Sequence, residues 1–379
     1  STTDNTTLAA HLADRATHEQ REKLRDAQRE LGAHLDSISA FMCMADSPYA
    51  RPTFVLTRGA YDQPDQSKPA KPGAISAVFP VDFAQHPNRL GLAAWLVNSS
   101  NPLAARVEVN RLWAQVFGRG LVETSENFGL QGAWPLNAEV LDLLATDFVR
   151  GEHAWDMNHM LRRLVLSATF RQSSVTSQAK RARDPNNDLL SRGPSVRLTA
   201  EMLRDCSLFS SGLLVEKFCG PSVKPYQQPN LVGDSGAHGG YISDTGDPAH
   251  RRSLYTFRKR TVPPPTMLTF DSGSREACQS RRFVTNTPLQ ALAIMNDPIF
   301  TECANALAQR AIRETSGDLD SRIVRAFELI ASRPPRTNEI VALRTLITNQ
   351  IASGEQDEIS ALALACTTML LSDAAIMSR

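Results

Sequence analysis

Apolar positions recur at helical spacing along most of the chain. Within residues 6–38, Leu8, Leu12, Leu24, Ala27, Leu31 and Leu35 form one stripe of a segment rich in Ala, Leu, Glu, Arg and Gln. That spacing predicts one long amphipathic helix. From residue 88 the pattern becomes dense. Asn101-Pro102 reads as an N-cap followed by a first-turn proline. Val109, Leu112, Trp113 and Val116 then repeat three and four residues apart until Gly118 and Gly120 stop the helix. Asn137 caps a helix whose Val140, Leu143, Leu144 and Phe148 are expected to face inward. Further helices are predicted over 157–169 and, from a Thr199 cap, over 199–214. Thr287-Pro288-Leu289-Gln290 combines an N-cap, a first-turn proline and a capping-box glutamine. Asp297-Pro298 opens a helix with the same cap and proline, and helices over 318–331, 337–351 and 356–375 complete the pattern.

Two stretches break it. Residues 46–82 are rich in Pro and Gly, with one short strand expected over 52–56. Residues 220–250 hold six glycines and four prolines. Long loops of this kind inside a domain usually carry function. Residues 252–258, with the alternation Ser253-Leu254-Tyr255-Thr256-Phe257, read as a strand, and the run Pro263 to Pro265 stiffens the chain after it. The expected fold is mainly α: a multi-helix globular domain with a few short strands and a long irregular Gly/Pro-rich segment. The expected divisions are 1–45, a helix ending a preceding domain; 46–87, an extended linker; and 88–379, the helical domain, with its irregular insertion at about 216–285.

Composition narrows the chemistry. The 379 residues hold 41 Lys and Arg against 40 Asp and Glu, a net charge of +1. No overall field favours nucleic acid. No apolar run reaches the roughly 18–20 residues of a membrane span. The six cysteines, Cys43, Cys206, Cys219, Cys278, Cys303 and Cys366, form no CxxC pair and no CxxCH motif. They read as buried free thiols, with disulfides open to an exported protein. No HExxH, GxGxxG or Walker A pattern is present, so no metal or cofactor is expected in this chain. His153 and His159, which flank Trp155, read as surface or structural residues. Gly233-Asp234-Ser235-Gly236, with His238 nearby, matches the nucleophile segment of trypsin-like proteases. A helical chain lacks the scaffold for that triad, and the segment reads as a glycine-rich loop.

One constellation stands apart. Arg251, Arg252, Arg258, Lys259, Arg260, Arg275, Arg281 and Arg282 crowd into 32 residues, with Asp271, Glu276, Tyr255, Phe257 and Phe270 among them. Guanidinium forks suit carboxylate, sulfate or phosphate. The same residues could instead lock irregular backbone onto the helices. An enzymatic alternative makes Asp271 the acid/base group, with Arg258, Arg275 and Arg281 assisting and Asp297 or Glu201 as a second carboxylate. Glycoside hydrolysis usually needs two carboxylates roughly 5–10 Å apart.

Several segments together resemble a known family. They are RPTFVLTRGAYDQP (51–64), NRLGLAAWLVNSSNPLAARV (88–107), VNRLWAQVFGRGLVET (109–124), SENFGLQG (125–132), SATFRQSS (167–174), LTAEMLRD (198–205), GPSVKPYQQP (220–229), RRSLYTFRKRTVPPP (251–265) and TNTPLQALAIMNDP (285–298). Their order is similar to the PSD-one domain, the C-terminal domain of unknown function in large exported proteins of planctomycetes and related bacteria. The resemblance implies a parent protein with a signal peptide, often a c-type cytochrome domain as a partner, and a periplasmic or cell-envelope location. Any haem would belong to such a partner domain. The family's motifs fall on Asn110, Arg111, Leu112 and Trp113, on Arg251, Arg252, Tyr255, Arg258 and Arg260, and on Phe270 and Asp271. They fall also on Arg281, Arg282, Thr285, Asn286, Thr287 and Pro288, and on Asn296 and Asp297. The chain departs from the family where Leu231 is followed by Val232-Gly233 instead of Trp-Glu, and where Arg258 replaces a usual tryptophan. The expected role is a binding or structural module, with acidic or sulfated polysaccharide as ligand. The alternatives are a polysaccharide hydrolase or lyase built on Asp271, and an electron-transfer partner of a cytochrome.

Overall fold

Capping side chains set where the helices begin. The computed structural model describes residues 17–38, 43–46, 51–80, 88–227, 241–259, 263–273, 275, 278–354 and 357–378. The chain divides into two compact units, one of residues 1–74 and 81–93, the other of residues 75–80 and 94–379. In the first unit, helix α1 (His18–Ser37) opens with a Thr17–Gln20 capping box. Its stripe of Leu24, Leu31 and Leu35 is exposed. Strand β1 (Thr53–Leu56) pairs antiparallel with β2 (Pro64–Ala70) across a bulge at Phe54/Val55. The second strand, PDQSKPA, has no apolar alternation, so the sequence pattern does not mark it. Helix α2 (Arg89–Leu96) straddles the division of the chain.

The second unit holds two apolar cores. The first joins α3 (Ala104–Phe117), α4 (Ala138–Arg150) and α5 (Met157–Val165) through Val109, Trp113, Leu141, Phe148, Met160 and Leu164. A six-residue helix, α6 (Gln178–Arg183), and strand β3 (Val196–Arg197) come next in the chain. The second core gathers α7 (Ala200–Ser211), α8 (Pro265–Thr269), α9 (Pro288–Asn296), α10 (Pro298–Glu314), α11 (Leu319–Ala331), α12 (Thr337–Ala352), α13 (Glu358–Leu371) and α14 (Asp373–Ile376). Helix α10 is its centre and packs on α7, α11 and α13. Small residues make this approach close: Ala304, Ala308 and Ala311 on α10 and Ala361 and Ala365 on α13 are fully buried. Burial pushes the Cys303 thiol up to about 11 and the Cys366 thiol to about 12.

A short seam ties the two cores together. Strand β4 (Met377–Ser378) pairs antiparallel with β3. Gly118 ends α3 in a left-handed conformation, φ 82°. A Cβ there would come within 2.6 Å of Val196 Cγ2, so glycine both stops the helix and admits β3 against it.

The mainly α architecture agrees with the apolar pattern, with fourteen helices among the described residues. Several details differ. Leu143 is 61 % exposed and Leu141 takes the inward place, because the buried face of α4 is rotated toward α3 and α5. The strand expected at 252–258 holds instead a 3₁₀ turn, Ser253–Tyr255, preceded by another at Asp247–His250, with single bridges Val215↔Arg251 and Val223↔Thr256. Asn101 accepts from the amides of Leu103 and Ala104, so it caps a turn just before α3. All six cysteines are free; only Cys303 and Cys366 are buried. No helix among the described residues is long and apolar enough to cross a membrane.

Leu307, fully buried at the centre of α10, tests the second core. Leu307→Ala is expected to lower unfolding stability by about 3 kcal/mol in denaturant melts. Leu143→Ala on the exposed face is expected to change it by less than about 0.5 kcal/mol.

Candidate functional site

Among the described residues between α7 and α8 the backbone forms only two isolated bridges, Val215↔Arg251 and Val223↔Thr256, and arginines supply further donors. Arg204, buried on α7, donates Nη1 to the Arg251 carbonyl at 2.9 Å and to Ser253 Oγ at 3.1 Å, and Nη2 to the Ala249 carbonyl. Arg251, also buried, donates to the carbonyls of Pro221, Lys217 and Cys219 at 3.0, 2.8 and 2.5 Å. Its guanidinium lies 3.9 Å from the centre of the Tyr255 ring, whose hydroxyl accepts from the Cys219 amide. Next to it, Asp205 accepts from the Ser253 amide and from Arg252 Nε. His250 Nε2 lies 3.0 Å from Glu302 Oε1. Tyr241 donates to the Pro225 carbonyl, and burial pushes its hydroxyl up to about 12. Arg251 and Tyr255 are therefore part of an internal lock.

Glu201, on the first turn of α7, bridges two more arginines. Its Oε1 accepts from Arg258 Nη2 at 3.0 Å and its Oε2 from Arg282 Nη1 at 2.6 Å. Arg258 also donates to the Gly273 carbonyl at 3.1 Å. Burial raises the Glu201 pKa, but the Arg282 hydrogen bond and the charges of Arg282 and Arg258 outweigh it, and the group sits below its ordinary value of 4.5.

Asp271 turns the corner after α8 in a left-handed conformation, φ 60°. Its carboxylate accepts from the Thr285 amide at 2.8 Å, from Thr285 Oγ1 and from Gln290 Nε2 at 3.4 Å. Gln290 is buried. It donates to the Thr269 carbonyl and Thr285 Oγ1, each at 3.0 Å, while its Oε1 accepts from Arg197 Nη2 at 2.8 Å. Asp297 is committed as well: it caps α10 through the Ile299 amide and accepts from Thr266 Oγ1.

The other predicted residues scatter. Arg275 is exposed, also in a left-handed conformation, φ 64°. Arg281 is half-exposed, 3.8 Å from Glu126 and 5.8 Å from the Phe283 ring centre. Asn286 is exposed and makes no side-chain hydrogen bond among the described residues. Asn110 is buried in the first core, where it holds both the amide and the carbonyl of Val122 at 2.8 and 3.0 Å. Arg111 faces solvent 3.7 Å from Glu108. Arg260, Glu276, the Gly233–Gly236 segment and His238 lie outside the described residues. The rings of His153 and His159 stack at 4.2 Å. No group of three or more His, Cys, Asp or Glu side chains among the described residues is placed to hold a metal ion.

Beside the corner opens a groove of about 770 Å³ between the two cores. It is lined by Arg119, Arg181, Arg192, Arg197 and Arg336, with Asp373 as its one acidic residue. Val284 and Arg197 belong to both the groove and the small recess over Asp271 and Arg282. Sequence patterning misses these arginines because Arg119 and Arg336 are remote in the chain from the 181–197 stretch that supplies the other three.

Glu201 links the lock to pH. A carboxylate whose folded pKa lies below its unfolded value stabilises the fold above the unfolded value, and that contribution is lost as pH falls through the folded value. Unfolding stability is therefore expected to fall as pH drops below about 4.5. Glu201→Gln should flatten that decline in denaturant melts run from pH 6 to pH 3.

Among known proteins, neither a curated protein nor a solved structure matches the chain. A family model does match, over residues 88–347, and it covers the first core, the lock, most of the groove lining and the second core up to Ile347, leaving α13 and α14 outside. By that match the chain belongs to the PSD1 family, a protein family of unknown function (DUF1553).

Proposed function

We propose that this domain is a holding module of a larger exported cell-envelope protein, and that it binds acidic or sulfated polysaccharide without cleaving it. The observation that carries the reading is the fate of the carboxylates. Glu201 is bridged by two guanidinium groups, Asp297 caps a helix, and Asp271 is engaged by Thr285 and Gln290. A general acid or base needs a carboxyl able to exchange a proton with substrate. By contrast, Arg252, Arg275 and Arg281 of the same cluster are exposed, which suits anionic groups on a ligand. Export and the cell-envelope setting rest on the resemblance of the motifs, and so does the choice of polysaccharide.

One observation favours the hydrolytic alternative. Asp271 holds a left-handed backbone, φ 60°, and strained residues gather at active sites. Both readings meet one assay. The purified protein is titrated with sulfated and uronic polysaccharides while reducing ends are counted. The holding module predicts saturable binding, weakened by salt, with no reducing ends released. Release that is abolished in Asp271→Asn would establish the hydrolytic reading in its place.

A further inference from the structure

The groove between the two cores has the size, charge and lining of a ligand site. Its volume of about 770 Å³ falls in the range of roughly 300–1,000 Å³ usual for bound small molecules. A second recess of about 350 Å³ shares Val175 and Thr176 with it and adds Ser173, Ser177, Lys180 and Ser191. Together they form a track that suits a linear ligand better than a single small ion.

The charges in the track are of two kinds. Some are already spent inside the protein. Arg119 pairs with Glu123 and Asp188, and Arg192 donates to the carbonyls of Asp184 and Pro185, each at 2.7 Å. Others are available. Arg181 and Lys180 are exposed on α6 and have no acidic partner among the described residues. Arg336 is exposed, and the carboxylate nearest to it in sequence, Glu339, is already held by both η nitrogens of Arg333, at 2.9 and 2.7 Å. Arg197 is fixed on one side by Gln290, so its fork is oriented before any ligand arrives.

The neutral lining points to the ligand's chemistry. Ser174, Thr176, Ser195 and Asn186 offer hydroxyl and amide groups between the cations, while the Asn187 amide is already held by the Arg192 backbone. Such a surface matches a ligand that alternates anionic groups with hydroxyls. The one aromatic residue in the lining, Phe117, is engaged by Trp113 at 4.2 Å and by the edge of Phe170. The lining thus lacks the open aromatic faces on which single-stranded nucleic acid stacks its bases.

We infer that this groove is the binding site for a linear acidic oligosaccharide. Arg181, Arg336 and Lys180 contact its anionic groups, and Arg197 is an oriented fourth cation. The inference rests on the polysaccharide reading above and places the ligand in the groove rather than on the arginine-rich corner beside it at 251–282.

The test is calorimetric titration of the whole protein with three probes of matched charge. These are a chondroitin sulfate oligosaccharide, an oligogalacturonate and a single-stranded oligothymidylate. Variants Lys180→Ala, Arg181→Ala and Arg336→Ala change exposed side chains, and their melting curves should match the parent protein's. Each is expected to weaken binding of the better sugar about three- to tenfold and to reduce the salt dependence of affinity. Arg281→Ala, at the corner, should stay within twofold of the parent protein. If the parent protein binds sugar and the groove variants bind equally well, the groove assignment fails while the polysaccharide reading stands. If it binds neither sugar, both fail. Tighter binding of the oligothymidylate than of either sugar would overturn the ligand class.

Discussion

Guanidinium groups standing in for a β-ladder are the interaction on which this domain depends. The backbone on either side of Val215, Val223, Arg251 and Thr256 meets only at isolated bridges, so many carbonyls there have no strand partner. Arg204 reaches into that gap from α7, and Arg251 reaches out of it to the turn at 217–221. Each satisfies two or three carbonyls with one planar fork, which the point charge of a lysine does not match. Burying such cations is costly unless their donors are used. Their η nitrogens are used, while the Nε atoms of both remain without a partner. The Arg258–Glu201–Arg282 bridge extends the same principle one layer outward.

This lock changes the meaning of the charge cluster. Much of what looks cationic in positions 251–282 is consumed by carbonyls and by Glu201. The corner at Asp271 acts through Gln290, which it shares with Thr285 and which in turn holds Arg197 at the groove edge. The corner is thus a support for the groove wall. The seam of Gly118, β3 and β4 brings the other walls together from the two cores. Scaffold and groove are accordingly coupled by short, direct contacts.

Local physics was legible in the residues, and non-local physics was not. The box at Thr287–Gln290 and the caps at Asn137, Thr199 and Asp297 are written within four residues, and all four occur. The apolar stripe of α3 likewise identified Val109, Leu112 and Trp113 as core. Leu143 lies at the exposed edge of its helix because a helical stripe about 100° wide leaves its edge undecided until neighbours pack. The stretch at 253–257 alternates like a strand but has no continuous partner, so it folds as a turn. The motifs marked Asn110 and Arg251 as notable, yet only the structure shows them as backbone holders. The groove was invisible because Arg119 and Arg336, remote in the chain, join Arg181, Arg192 and Arg197 only in the folded domain.

Native-state hydrogen exchange on Arg251→Lys tests the lock most directly. The amides of Val215, Val223 and Phe257 bond to the carbonyls of His250, Tyr255 and Val223 across the irregular segment. If the guanidinium fork holds that segment, these amides should exchange at least tenfold faster in the variant, while those of α10 and α13 remain as protected as before. Unchanged exchange at Val215, Val223 and Phe257 would contradict the account.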